Sequence, residues 1–224
     1  METIRNDMCR PVSELVDGFR AVLAHYSPSC LVTDARRRVG AIGGLLPVKP
    51  DHKIAGPALT ISMSIDDLVD PMPVLAQAEP GDIVVVACHE TRRTAMWGGL
   101  MSTLSIKAGV TAGIVDGAIR DVDEIRDLDF PVWYRGTVPR PSPTAIHDRV
   151  EPVQVNVPVV IDGQVITPGD IVVADENGIA VVPSAIAKDV LVGTQHQIYK
   201  EKLIRQKINS GATLAELLSE FGHL

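Results

Sequence analysis

The chain has few cysteines and no long apolar run. Its three cysteines stand at positions 9, 30 and 88, and neither their number nor their spacing fits a disulfide framework or a zinc site. We therefore expect reduced thiols, mostly packed in the interior, as in cytoplasmic proteins. The first residues contain no apolar signal core, and no later stretch is long enough to span a bilayer. These absences predict a cytoplasmic protein without a membrane partner.

An excess of positive charge is also lacking. The formal net charge of -7 argues against nucleic acid as a partner, because phosphate binding requires a basic surface. Two short basic runs, Arg36 to Arg38 and Arg92 to Arg93, interrupt this acidic composition. We interpret them as solvated faces or as contacts between subunits.

Several cofactor and nucleophile motifs are missing. No Gly-x-Gly-x-x-Gly follows a strand and no phosphate loop ends in Gly-Lys-Ser/Thr, which argues against binding of dinucleotides, nucleotides or a methyl donor. No Gly-x-Ser-x-Gly elbow is present either, so serine hydrolysis would have no nucleophile.

The residues that are present predict one α/β domain covering residues 1–224. A hydrophobic fraction of 46% and a charged fraction of 22% suit a full core, and no linker composition interrupts the chain. The turns at 80–82 and 168–170 share the sequence Pro-Gly-Asp, and each leads into β-branched residues that predict a buried strand. A C-terminal helical extension is expected over about 184–224.

Capping residues indicate where three helices begin. Thr33 resembles a cap for a short helix, and Ser184 is placed to cap the long C-terminal one. Thr213 and Glu216 have the spacing of a capping box that opens a final short helix.

The middle of the chain reads as a βαβ unit. A buried strand at 83–88, a helix from about 100 to 107 and a second buried strand at 112–116 predict a parallel strand pair. Asp116 could face a site at this edge, but in Asp-Gly it more often makes a turn, so Asp116 and Gly117 are interpreted as a tight turn after the second strand. Residues after this turn then lie at the carboxyl edge of the sheet, where α/β proteins gather their ligands.

Four residues at this edge suggest a binding site. Gly98 and Gly99 open the predicted helix, so its first backbone N–H groups are available to an anion such as a carboxylate. Arg120 could grip the same anion with a planar fork, and Asp121 could hold a hard divalent cation. An anion cradle, a clamp and a metal ligand together suggest chemistry on a small keto acid.

Each of these features has a plainer alternative. Arg120 and Asp121 could form a surface ion pair, and the two glycines could serve close packing only. Asp123 and Glu124 could orient a metal-bound water, or could be an acidic helix start favoured by the helix dipole. His89 follows the first strand and could titrate near neutrality, although a packing role is the more common one.

Several segments resemble the RraA-like proteins and their enzymatic relatives, the 4-hydroxy-4-methyl-2-oxoglutarate/4-carboxy-4-hydroxy-2-oxoadipate aldolases. The most specific part of the resemblance is a glycine followed at a fixed distance by Arg-Asp and an acid, met here by Gly99, Arg120, Asp121 and Glu124. The wider resemblance covers 54–60, 80–86, 95–100, 113–121 and 168–175.

The resemblance implies a β/β/α swivelling-domain fold with N- and C-terminal helices. It implies a homotrimer or a dimer of trimers with sites between subunits. It further implies an Mg²⁺ or Mn²⁺ ion held by Asp121 and waters, with Arg120 on the oxygens of a small 2-keto acid. The amides of Leu100 and Met101 would hold the substrate carboxylate beside Gly98 and Gly99. A glutamate of the adjacent subunit's C-terminal helix supports the metal waters in the family, and Glu201 is the nearest candidate here.

The chain departs from the family pattern at Gly99, where many relatives carry an acid that orients water. Ala87, Cys88, His89 and Glu90 also replace a glycine-rich segment. The function expected from the resemblance is a class II aldolase that releases pyruvate, with oxaloacetate decarboxylation as a related activity. The alternative is a non-catalytic, trimeric regulator that binds RNase E.

Overall fold

The computed structural model describes residues 3–63, 72–141 and 153–222. Its strands are β1 (Thr3–Arg5), β2 (Ala41–Ile42), β3 (Leu46–Pro47), β4 (Ile54–Ser62), β5 (Ile83–Ala95), β6 (Ala112–Ile119), β7 (Val132–Thr137), β8 (Val153–Val155), β9 (Val159–Ile161), β10 (Gln164–Ile166), β11 (Ile171–Asp175) and β12 (Gly178–Val182). Its helices are α1 (Ser13–Val22), α2 (Pro28–Ala35), α3 (Met72–Leu75), α4 (Gly99–Lys107), α5 (Val122–Asp127), α6 (Ala187–Asn209) and α7 (Leu214–Phe221).

Ten of these strands form one mixed sheet. Its centre is four strands in the order β4, β5, β6 and β7, all parallel to their neighbours, as the βαβ prediction requires. Beyond β4 the sheet continues through β11 and β12, which pair antiparallel. Strand β4 changes partner at Pro57: up to this residue it pairs with β11, and from Ala58 onwards with β5. The fold is therefore mixed α/β, as expected.

Alternation along the strands divides the core into layers. Val84 and Val86 of β5 pack on the side of α4 and α5, whereas Ile83 and Val85 face β11, β12 and the β9–β10 hairpin. On the outer face of β11 and β12, a third apolar layer includes Phe19 of α1 and residues of α2 and α6. Two β layers thus lie between two helical layers.

The predicted turn at Asp116 and Gly117 is wrong, because β6 continues through both residues to Ile119, with a register shift against β7 between Val115 and Ala118. Asp-Gly usually marks a turn, but here the glycine is required by close packing. A Cβ at Gly117 would lie 2.7 Å from Cys88 Sγ and 2.9 Å from the carbonyl oxygen of Thr91. Arg120 still follows the carboxyl end of a parallel strand, as predicted.

Two of the three predicted helix starts are also wrong. Helix α2 begins at Pro28, and the hydroxyl of Thr33 donates within it to the carbonyl of Ser29. Ser184 opens a short 3-10 turn, and its amide donates to the carboxylate of Asp170 instead of its hydroxyl capping α6. The capping box of Thr213 and Glu216 is confirmed. Among the described residues, no helix combines the length and apolarity that crossing a membrane requires.

Candidate functional site

The start of α4 lies against the residues that follow β6. Gly98 is the N-cap of α4, and a Cβ there would lie 2.7 Å from Oδ2 of Asp121 and 3.2 Å from Cγ of Arg120. Two backbone hydrogen bonds fix this approach: Met96 N–H donates to the Ala118 carbonyl, and Arg120 N–H donates to the Trp97 carbonyl. The glycine is thus required by the closeness of the two segments.

Asp121 turns its carboxylate towards α4. It is the N-cap of α5 with a left-handed φ of 54°, yet its side chain makes no capping hydrogen bond to that helix. Oδ2 instead accepts a hydrogen bond from Gly99 N–H at 3.2 Å and lies 3.5 Å from Nε of Arg120. A non-glycine residue in left-handed backbone is strained by about 1–3 kcal/mol, and such residues cluster at functional sites.

The Arg120 and Asp121 side chains remain open to solvent, at 42% and 40% exposed. An exposed pair of this kind stabilises a protein by about 0–1 kcal/mol. The surface ion pair considered as an alternative is therefore present, but its Asp121 is also bound to the amide of Gly99. The pair is part of a fixed corner and not an isolated surface contact.

Glu124 fills the place of a side chain at position 99. Its Oε2 and Oε1 lie 1.9 and 2.7 Å from the position that a Cβ of Gly99 would take. Glu124 reaches this point from the first turn of α5, whose other acid, Asp123, is exposed. A carboxylate from the first turn of α5 thus lies over Gly99, whose amide donates to Asp121.

The first turn of α4 also carries free donors. In the described residues, the amides of Leu100 and Met101 have no backbone acceptor, whereas Ser102 N–H already bonds to the Gly98 carbonyl. Leu100 is 75% exposed at the start of the helix, whereas Met101 is buried.

The residues at this corner fit a divalent cation that keeps most of its waters. Asp121 and Glu124 offer carboxylate oxygens, the ligands that Mg²⁺ and Mn²⁺ prefer. Within 3–63, 72–141 and 153–222, no three His, Cys, Asp or Glu side chains converge as a complete metal cage. One or two carboxylates with several waters is the arrangement that Mg²⁺ commonly adopts.

A second charged pair lies on the opposite face of β6. Nε of Arg135 donates to Oδ1 of Asp116 at 2.6 Å, and the two side chains are only 7% and 3% exposed. Nη2 of Arg135 lies 3.3 Å from Oε1 of Glu90, whose own amide donates to Asp116. Burial raises the pKa of Asp116, and its hydrogen bond with Arg135 opposes that rise. Sequence reasoning missed Arg135, because one arginine in a strand carries no distinguishing pattern.

The remaining candidates lie elsewhere. Glu201 is on α6, where its carboxylate pairs with Arg205 at 3.3 Å, within the helical layer of α1, α2 and α6. His89 has a left-handed φ of 54° and an exposed side chain. Three acidic residues, Asp66, Asp67 and Asp70, and the histidine His147 lie outside the described residues.

Comparison with known proteins gives a family match, a named relative and similar solved structures. A family model described as RraA-like, Aldolase/RraA, matches residues 16–181. A candidate 4-hydroxy-4-methyl-2-oxoglutarate aldolase of Halalkalibacterium halodurans is 30% identical over 145 residues, 65% of this chain and 67% of that protein. The crystal structure of Streptomyces coelicolor RraAS2, described as an unusual member of the RNase ES inhibitor RraA family, has a TM-score of 0.76 at 27% identity, covering 89% and 99% of the two chains.

A third match concerns the fold alone. The crystal structure of an uncharacterised Pseudomonas syringae protein is 23% identical to this chain. It superimposes with a TM-score of 0.81 and covers 99% of this chain and 100% of its own.

Proposed function

The chain belongs to the RraA-like family, Aldolase/RraA, and from that premise we propose that it is a divalent-metal-dependent lyase that cleaves a 4-hydroxy-2-keto diacid to pyruvate. The observation that carries the proposal is the corner at α4, where Gly99 N–H, Asp121 and Arg120 meet and where Glu124 supplies a second carboxylate. The relative named as a candidate aldolase supports the same reaction class.

Substrate binding falls to the donors at this corner. The amides of Leu100 and Met101 point out of the first turn of α4, so a substrate carboxylate is their natural acceptor. Nε of Arg120 faces Asp121. The two Nη groups of the same guanidinium can donate hydrogen bonds to the oxygen of the 2-keto group. Together these donors fix the keto acid in one orientation.

Asp121 would hold the Mg²⁺ or Mn²⁺ ion, and Glu124 nearby would stay unbound and available as a base. When bound, such an ion acts as a Lewis acid that withdraws electrons from the 2-keto group. The carboxylate of Asp121 is already oriented by Gly99 N–H, so no rearrangement of the chain is needed to present it.

The bond changes are those of a retro-aldol cleavage. The 4-hydroxyl loses its proton and C4 becomes the carbonyl carbon of the second product as the bond between C3 and C4 breaks. The electron pair moves to the 2-keto oxygen, and the resulting enolate takes up a proton at C3 to give pyruvate. Arg120 stabilises the developing charge, an effect for which removal of one donor typically costs about 10²–10³-fold in rate. Glu124, exposed at the same corner, is the base that accepts the hydroxyl proton. Decarboxylation of oxaloacetate would yield the same enolate and is the related activity.

The proposal includes a homotrimer, or a dimer of trimers, in which Glu201 of one subunit supports the site of its neighbour. Within one chain Glu201 lies on α6 with Arg205, away from α4 and α5 in the layer order. A neighbouring copy is therefore the route by which this glutamate could reach a site.

The test is pyruvate release from 4-hydroxy-4-methyl-2-oxoglutarate and from oxaloacetate, with Mg²⁺, with Mn²⁺ and with chelator. We expect activity that chelator abolishes and that Asp121→Asn lowers by at least about 100-fold, the scale of a lost charge-stabilising group. Asp123→Asn is the matched control, since Asp123 is an exposed acid two residues away without a contact to Gly99. Activity that persists in chelator, or in Asp121→Asn, contradicts the mechanism.

The second candidate function is a regulator that binds an RNA-processing enzyme, favoured by the resemblance to the Streptomyces protein. Copurification with RNase E, compared between the wild type and Arg120→Ala, separates the two candidates. A surface binder retains RNase E in Arg120→Ala and releases no pyruvate in either form.

A further inference from the structure

A groove between α2 and α6 is basic although the chain as a whole is acidic. Its volume is about 570 Å³, within the range of small-molecule sites. Four cationic residues line it, Arg37, Arg38, Lys200 and Arg205, against two acidic residues, Asp34 and Glu201. The groove therefore carries two net positive charges, whereas the chain carries a formal charge of -7.

The backbone at Arg37 and Arg38 is unusual. Both residues have left-handed φ angles, 58° and 69°, and their amides donate to the carbonyls of Asp34 and Thr33 to close the end of α2. Glycine is the residue that adopts this backbone without strain and that most often ends a helix. The helix dipole favours a cation here, but it does not explain two arginines in successive left-handed positions. We therefore expect the side chains of Arg37 and Arg38 to have a role that glycine, which has no side chain, could not fill.

The side chains of Arg37 and Arg38 are also available to a ligand. Both are exposed, and across the described ranges neither guanidinium has a hydrogen bond or an ion pair. Arg205, on the opposite wall, is already paired with Glu201 at 3.3 Å and lies 6.0 Å from the ring of Tyr26. Free positive charge in the groove is thus concentrated at Arg37 and Arg38.

The floor of the groove is aliphatic. Ile204 and Ile208 of α6 line it, and Ile208 is 52% exposed. Exposed aliphatic surface beside two free guanidiniums suits a ligand with an apolar body and an anionic end.

We propose that the groove binds a small organic dianion. Its phosphate or paired carboxylates are held by the planar forks of Arg37 and Arg38, and its apolar body lies on Ile204 and Ile208. The inference goes beyond the proposed lyase activity and uses no residue of the α4 corner, although the groove shares Glu201 with the proposed contact between subunits.

The experiment titrates the full-length protein by calorimetry with four probes. Phenyl phosphate and phenylsuccinate carry the ring, and inorganic phosphate and succinate lack it. We expect each ring-bearing dianion to bind at least tenfold more tightly than its counterpart, and the two pairs show whether phosphate or carboxylate is preferred. In Arg37→Gly/Arg38→Gly the affinity falls at least tenfold, while the melting temperature is equal or higher, because glycine suits both φ angles.

Lys107→Gln/Lys188→Gln is the matched control. It removes the same charge from exposed positions outside the groove and leaves affinity unchanged. Absence of binding at millimolar probe, or equal affinity in Arg37→Gly/Arg38→Gly, overturns the proposal. Affinity that is lost in Arg120→Ala alone assigns the anion to the α4 corner and also overturns it. If Arg37→Gly/Arg38→Gly forms a smaller assembly but binds the probes with unchanged affinity, the groove is an interface between copies of the chain. That result also overturns the proposal.

Discussion

Two Asp–Arg pairs lie near the carboxyl end of β6, one between β6 and β7 and one just beyond the strand, and they differ in exposure and in distance. Asp116 and Arg135 are 3% and 7% exposed and lie 2.6 Å apart. Asp121 and Arg120, just beyond the strand, are 40% and 42% exposed and 3.5 Å apart. Residue types that look equivalent in the sequence thus occupy a dry environment in one case and a wet one in the other.

The difference separates structural from chemical roles. In the buried pair, Asp116 also accepts from Glu90 N–H, and Nη2 of Arg135 lies 3.3 Å from the Glu90 carboxylate without a hydrogen bond. These contacts connect the pair to the bulged segment of β5 around His89. The exposed pair is open, with Asp121 fixed by one amide and its remaining lone pairs free. Perturbing the first should change stability, and perturbing the second should change activity.

The largest effect is expected at the buried pair. Arg135→Met leaves the Asp116 carboxylate buried without its cation, which typically costs about 3–5 kcal/mol in the free energy of unfolding. Urea denaturation measures the loss. The double variant Asp116→Leu/Arg135→Met should recover most of it, because both charges are then gone. A single variant as stable as the wild type would show that the pair is not structural.

The next largest effect is expected at the exposed pair, where activity and not stability should fall. Arg120→Ala should lower kcat/KM for pyruvate release by about 10²–10³-fold, equivalent to about 2.7–4 kcal/mol of transition-state stabilisation. Its free energy of unfolding should change little, since an exposed pair contributes about 0–1 kcal/mol. Arg120→Lys keeps the charge but not the fork, so it should recover only part of the activity. Full activity in Arg120→Ala would remove this residue from the mechanism.

A smaller effect distinguishes the two glycines. Gly98→Ala places a methyl group against the fixed carboxylate of Asp121, and relieving this overpacking typically costs about 1–3 kcal/mol. Gly99→Ala meets only the end of the flexible Glu124 side chain, which can move away. Melting temperature and chelator-sensitive activity should therefore both fall further in Gly98→Ala. The reverse order would mean that Glu124, not Asp121, is the rigid group.

The smallest effect uses the cysteines as reporters of the buried side. Cys88 is buried and donates to the Asp116 carbonyl, and burial raises the pKa of its thiol. Cys9 and Cys30 are exposed, so the expectation that most thiols are packed in the interior is wrong. A maleimide should label two cysteines in the native protein and three in denaturant. Arg135→Met should speed labelling of Cys88, whereas Arg120→Ala should not.

Local patterns were sufficient to predict the parallel strands and the start of α4. Runs of β-branched residues marked β5 and β6, and paired glycines marked a helix start at a sheet edge. The same patterns were misleading at Asp116 and Gly117. Gly117 lacks a side chain because Cys88 and Thr91 of a neighbouring strand leave no space for a Cβ. Contacts between residues that are distant in the sequence cannot be predicted from the spacing of residues within one segment.

The site shows the same division. Asp121 and Arg120 could be proposed from chemistry and from the family resemblance, and the structure adds where the Asp121 carboxylate points. The position of the Glu124 carboxylate over Gly99 was not predictable, because it depends on how α5 packs beside α4. Arg135 was missed for the same reason.

The overlap between the Glu124 carboxylate and the missing Cβ of Gly99 ties the reach of Glu124 to the residue at position 99. A longer side chain there would displace the exposed, flexible end of Glu124 without separating α4 from α5. An acid introduced at position 99 would therefore join the Glu124 carboxylate at this corner and raise the negative charge beside Asp121.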